Sequence, residues 1–447
     1  MTLAALIPTL LLVLVAGGLT VAGSGKLGAR EGGLLRMAFL AQVCGLAANQ
    51  YLVAEVYGFS DSIKFHRLGL EAWDAWRFDP VGMTPELVYL TLGLENLLIQ
   101  VGSTSTQAMA GFAAFGIMLT GGSFLALSAL YAMLGFMGRV LLYLAIRPMV
   151  PSPMRPAVLI ATTMVPSVVY WCSGIIKESV VFFAGGVLLY CASRVWHGSR
   201  VAALPAMAGL YVVIVIKPHF VLAGLLAAGA WAYWLGSISE GQLRLRPSRI
   251  ALSLCIVLVA FLSAGQLSPR LDISNLADET EKLQDAGFKG GSAYSLGGGG
   301  GGLASQLQIA PLALITGLFR PSLLEASNAQ SLVSALENTA LLLLSWIAVR
   351  RLRRQGLQPF VEHPVLVFCV VFVGISSVGV ALATGNLGTL SRYRAPYIPA
   401  FAIVLAMLGF APRERAATQH RLNGGALARR THADYLSRHG DRTTLAP

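Results

Sequence analysis

The feature that most constrains this chain is the recurrence of unbroken apolar stretches of roughly 18 or more residues, each bounded by charges, the length at which a helix crosses the hydrocarbon of a bilayer. Stretches of this kind must satisfy their own backbone, and only helices do so within one segment. Of 447 residues only 12% are charged, against about 25% in a soluble domain. That is too little polar surface for a water-soluble fold of this length. Soluble enzymes and secreted disulfide scaffolds are thereby excluded, and nucleic-acid binding is not needed to explain a net charge of +12. The five cysteines (Cys44, Cys172, Cys191, Cys255 and Cys369) all lie in apolar stretches without CxxC spacing. They read as small hydrophobes, with no disulfide frame and no metal site.

Apolar windows predict spans near residues 2–22, 36–56, 108–135, 156–174, 178–195, 201–216, 219–236, 250–265, 329–349, 364–383 and 396–411. The expected fold is an all-α polytopic integral membrane protein of about 11 transmembrane helices. Two ambiguities widen the range from about 10 to about 13 helices. Residues 84–101 are apolar yet carry Glu86 and Glu95, and Gly121-Gly122 offers a break in the stretch from Ala108 to Ile146. The first segment lacks a basic leader and is followed by Lys26 and Arg30, so it reads as a retained helix, not a signal peptide. The positive-inside rule orients the chain with its N-terminus outside and its C-terminus in the cytoplasm, placing 22 of the 33 Lys and Arg inside. Residues 1–411 are expected to form a single helical domain, with non-cytoplasmic loops at 57–107 and 266–328. Residues 412–447 are expected to form a basic, loosely ordered tail. Within the second loop the run Gly297–Gly302 is expected to be a flexible tether, either a plain linker or a flap; no Gly-Lys-Ser/Thr follows it, so it does not read as a phosphate loop.

Charges that interrupt apolar helices at the outer face are the hardest to explain as solvated surface. Lys177 and Glu178 sit in a short turn between two apolar runs, and Lys217-Pro218-His219 interrupts what would otherwise be a continuous hydrophobic hairpin. Pro218 also frees backbone groups that need a polar environment. Phe319-Arg320-Pro321 closes the second loop, and Arg392-Tyr393-Arg394 stands at the outer end of the last helix. Guanidinium forks hold phosphate oxygens bidentately. The first loop supplies Asp61, His66 and Arg67, with Trp73 and Trp76 as belt residues or sugar platforms. These patterns assign Asp61, Glu178 or His219 as a proton acceptor, and assign Arg320, Arg392, Arg394, Lys177, Lys217, His66, Arg67 and Tyr393 to an anionic ligand.

Taken in order, Ser60-Asp61-Ser62 with His66, Pro166-Ser167 to Lys177-Glu178, Lys217-Pro218, Phe319-Arg320-Pro321 and Arg392-Tyr393-Arg394-Ala395-Pro396 resemble bacterial polysaccharide-assembly membrane proteins. These are the Wzy-type repeat-unit polymerases and the related GT-C glycosyltransferases. The resemblance implies a GT-C-like helical fold in the bacterial inner membrane, with its site on the periplasmic face. It further implies a partner that is a polyprenyl-pyrophosphate-linked oligosaccharide, beside membrane lipid and other export components, and chemistry needing no cofactor. The absence of an adjacent Asp-Glu pair near Asp61 sets the polymerase ahead of a metal-assisted glycosyltransferase. A lipid-linked glycan flippase is the reading of a different class.

Overall fold

Glycine, proline and small polar caps decide where helices stop in this chain. The structure is a computed structural model that describes residues 3–58, 60–100, 102–239, 242–243, 293–296 and 303–409. In chain order the helices are α1 (Leu3–Ser24), α2 (Ala29–Tyr51), α3 (Asp61–Phe78), α4 (Pro80–Leu92), α5 (Thr104–Thr120) and α6 (Phe124–Ile146). They continue with α7 (Arg155–Thr163), α8 (Pro166–Trp171), α9 (Lys177–Trp196), α10 (Ala203–Ile216) and α11 (Pro218–Ser237). The last six are α12 (Leu303–Phe319), α13 (Ala329–Gln355), α14 (Gln358–Glu362), α15 (Val365–Leu382), α16 (Leu387–Tyr393) and α17 (Ile398–Gly409). A π-helical turn, Leu52–Tyr57, extends α2, and a two-residue ribbon pairs Ile238–Ser239 with Gln242–Leu243.

Apart from that ribbon the described residues with regular structure are helical, and among them six helical stretches are long and apolar enough to cross a membrane. They are Leu6–Ser24, Phe124–Met149, Lys177–Trp196, Pro218–Ser237, Ala329–Gln355 and Val365–Leu382. Three shorter apolar helices, Arg200–Ile216, Gln308–Phe319 and Ile398–Gly409, accompany them. The span expected at 250–265, the Gly297–Gly302 run and the 412–447 tail lie outside the described residues.

Four expected elements differ, one of them the loop expected at 266–328, whose residues Leu303–Phe319 form the apolar helix α12. The 108–135 stretch is two helices, because Gly121 and Gly122 adopt positive φ (64° and 81°) and Ser123 then caps α6. The 156–174 stretch is also broken: Pro166 has no N–H and pushes Val165 to extended backbone, so α7 ends at Thr163 and α8 restarts at Pro166. The connection at 57–107 is largely helical; Leu68 and Ala72 of α3 pack with Leu87 and Leu90 of α4 against Ala110 and Ala114 of α5.

Close packing places the start of α9. A Cβ at Gly138 would overlap the Phe182 carbonyl, and one at Gly186 would overlap the Gly138 carbonyl, so α6 and α9 meet backbone to backbone. Phe65, Met109, Tyr131, Ile175 and Ile216 then form one apolar core beneath the N-terminus of α9.

Candidate functional site

Four separate helix ends deliver charge to one place. Asp61 opens α3, whose cap is the Ser60 hydroxyl accepting from the Ile63 amide at 3.3 Å. Lys177 and Glu178 open α9 directly after the buried pair Ile175-Ile176. Lys217 is the non-helical residue between α10 and α11, fixed there because Pro218 starts the next helix. Arg392 lies on α16, which is capped by the Asn386 carboxamide accepting from the Gly388 and Thr389 amides.

Glu178 is the hub. Its carboxylate accepts from Lys217 Nζ at 2.8 Å and from Arg392 Nε at 3.1 Å on each oxygen, and its side chain is fully buried. Arg392 also pairs through Nη1 with Asp61, whose side chain is 39% exposed. Tyr393 floors the group: Lys217 Nζ lies 4.5 Å and the Arg392 guanidinium carbon 5.5 Å from its ring centroid. Lys177 completes it differently. Its Nζ donates to the Ser105 hydroxyl at 2.7 Å and lies 5.8 Å from the Phe65 ring centroid. Three cations therefore face two carboxylates, and the surplus charge rests on a half-buried lysine held by a neutral hydroxyl. Such a group attracts an anion, because the local field is positive and Glu178, Lys217 and Arg392 are largely shielded from solvent.

The other expected residues fall elsewhere. Arg394, two residues beyond Arg392, is fully buried and pairs with Glu337 at 3.1 Å, while Nη1 donates to the Arg320 carbonyl at 3.3 Å. Glu337 in turn accepts from the Ser167 amide and hydroxyl, both at 2.7 Å. Arg320 pairs with Glu325 and stacks over Tyr294, 4.8 Å from the ring centroid. Partial burial pushes the Glu325 carboxyl up, but Arg320 and the Ser322 amide hold it below its usual range. Each of these arginines thus already has its own acid. His66 bonds the Gly122 carbonyl at 2.9 Å and packs on Phe124, tying α3 to the Gly121-Gly122 turn. Arg67 is exposed and forms an i,i+4 pair with Glu71. His219 is exposed, with its ring against Phe220. Trp73 and Trp76 stack on each other at 5.0 Å.

Beside α16 runs a polar cleft lined by Pro321, Glu325, Asn328, Ser331, Ser334, Gly388 and Ser391. Its Ser334 and Ser391 hydroxyls are 3.1 Å apart, and Ser391 adjoins Arg392. Ser105, Glu337 and Tyr294 were not anticipated. Glu337 carried a readable signal, a lone carboxylate inside an apolar span; Ser105 and Tyr294 carried none, since hydroxyls at helix starts and in loops are commonplace. Among the described residues no group of His, Cys, Asp and Glu has the geometry of a metal site. Comparison with family models, with curated proteins and with solved structures returns no match to this chain.

Proposed function

We propose that this protein is a polysaccharide polymerase that joins polyprenyl-pyrophosphate-linked repeat units at the non-cytoplasmic membrane surface. The observation that carries the reading is the surplus cation: Lys177, Lys217 and Arg392 at helix ends, against only Glu178 and Asp61. A pyrophosphate beside Lys177 and Arg392 supplies the missing negative charge and keeps its lipid tail among apolar helices.

The roles divide by burial. Both oxygens of Glu178 are occupied by cationic donors, so it positions Lys217 and Arg392 instead of accepting a proton. Asp61 is the accessible carboxylate. In this reading the acceptor hydroxyl oxygen attacks the donor's anomeric carbon and the bond to pyrophosphate breaks. The hydroxyl proton passes to Asp61, and the polyprenyl pyrophosphate leaves in the field of Lys177 and Arg392. The hydroxyl-lined cleft beside Ser391 offers polar ground for sugars. The same accessible Asp61 favours, as a second reading, a transferase adding one sugar from a polyprenyl-phosphate donor.

Glycan length in cells carrying Arg392→Lys and Asp61→Asn tests the proposal. Loss of long chains with accumulation of single lipid-linked units is expected from both variants. Normal polymer from both removes the cluster from the chemistry, and a missing sugar instead of a missing polymer selects the second reading.

A further inference from the structure

The helix break between α7 and α8 raises a question that the charge cluster does not answer: what fixes the short segment that delivers Lys177 and Glu178? Pro166 interrupts the helix inside an apolar stretch, leaving the last carbonyls of α7 without the donors that a continuous helix would supply. One of them, Thr163 O, accepts from Arg139 Nη1 at 2.6 Å. Arg139 belongs to α6 and is fully buried seven residues before that helix ends, about 10 Å along its axis. Its remaining partners are the Gly135 carbonyl, 3.3 Å from Nε, and the Gln42 carboxamide oxygen bonded by Nη2. Among the described residues it has no carboxylate partner, so this cation is held by neutral groups, the negative end of a half-helix among them, with the Phe136 ring centroid 5.8 Å from the guanidinium carbon. A buried arginine so placed in an apolar helix marks a function.

Gln42 carries the contact onward. Its Nε2 donates to the Ser173 hydroxyl at 2.7 Å and to the Cys172 carbonyl at 3.3 Å, at the far end of α8. Ser173 Oγ donates back to Val169 O at 2.7 Å. Gly174 follows, packed so tightly that a Cβ there would come within 2.9 Å of Ser62 Oγ and 3.0 Å of Asn49 Oδ1. Three residues later comes Lys177. One guanidinium and one carboxamide therefore grip both ends of the 163–173 segment, at Thr163 directly and at Cys172-Ser173 through Gln42.

We propose that Arg139 is a positioning residue for the cluster: acting through Gln42, it locks the broken α7–α8 segment so that Lys177 and Glu178 meet Arg392, Lys217 and Asp61. The inference rests on the anion-binding reading for its consequence, but the clamp itself is a separate claim. Gln42→Glu isolates it. The new carboxylate keeps an oxygen for Arg139 and adds a counter-charge, yet removes the donor to Cys172 and Ser173.

The experiment uses the full chain in detergent, with farnesyl phosphate as probe, read by its shift of the melting temperature, alongside amide hydrogen exchange of residues 164–178. Gln42→Glu is expected to melt near the wild type without ligand, to exchange faster across Cys172–Glu178, and to bind the probe about tenfold more weakly, the loss when a buried hydrogen bond goes unmade. Arg139→Met is expected to show the same defects more strongly, with Arg139→Lys recovering part of the probe affinity. Unchanged exchange across Cys172–Glu178 in Gln42→Glu overturns the clamp, as does wild-type probe affinity in that variant. If the wild type itself ignores farnesyl phosphate while exchange accelerates in Gln42→Glu, the clamp stands and the anion-binding reading falls.

Discussion

Two arginines at the end of one short helix, Arg392 in its last turn and Arg394 just past it, lead opposite lives. Arg394 is sealed from solvent against Glu337, one base to one acid, with Ser167 holding the carboxylate from behind. Arg392 is shared between a buried carboxylate and an accessible one, in a group that still carries an unmatched lysine. Balanced and dry, the first pair fastens α16 to α13 and α8. Unbalanced and open at Asp61, the second retains capacity for an anion. A dipeptide spacing thus separates a fastening from the group proposed to hold an anion, and what separates them is the count of opposite charges around each.

The largest effect that would sharpen this contrast comes from Glu337→Leu, which strands Arg394 as an uncompensated buried charge. A loss of about 3–5 kcal/mol is expected in unfolding followed by mixed-detergent titration, with much of it regained in Glu337→Leu combined with Arg394→Met. A stable single variant would break the claim that Arg394 is locked. Glu178→Gln should cost less, about 2–3 kcal/mol, because Arg392 keeps Asp61 while Lys217 loses the carboxylate it pairs with among the described residues. Lys177→Gln should leave unfolding within about 1 kcal/mol of wild type, since its partner is a neutral hydroxyl. The same change should flatten the salt dependence of farnesyl phosphate binding; an unaltered salt slope would show that Lys177 does not meet the anion. The smallest effect belongs to Glu325. Its carboxyl is held below 4.5, so its contribution is complete above that value and disappears as pH falls through the lowered one. Stabilities of wild type and Glu325→Gln, separated by about 1 kcal/mol at neutral pH, should converge on acidification.

Much of the charge cluster was legible in the sequence. Lys177, Glu178, Lys217 and Arg392 interrupt apolar runs, and a charge at the edge of hydrocarbon declares itself by its cost. The three arginines were expected to act together, and here the linear pattern misleads. Arg320 and Arg394 look as free as Arg392 until Glu325 and Glu337 come to meet them from α13 and the turn before it. His66 and Arg67 share a motif with Asp61 but leave its direction, because residues five and six along a helix face away from the first. Arg139 looked like one more base on the cytoplasmic side. Its burial depends on the α7–α8 break supplying a free carbonyl, which Pro166 hints at but does not locate.

The sequence by itself determined that this chain is all-helical, with helices of membrane-spanning length, because the thickness of hydrocarbon and the cost of bare backbone act on each segment alone. The tertiary structure alone decided which charges are spent on one another and which remain in surplus. That outcome turns on a few ångströms between groups as many as 331 residues apart, a distance no local pattern encodes.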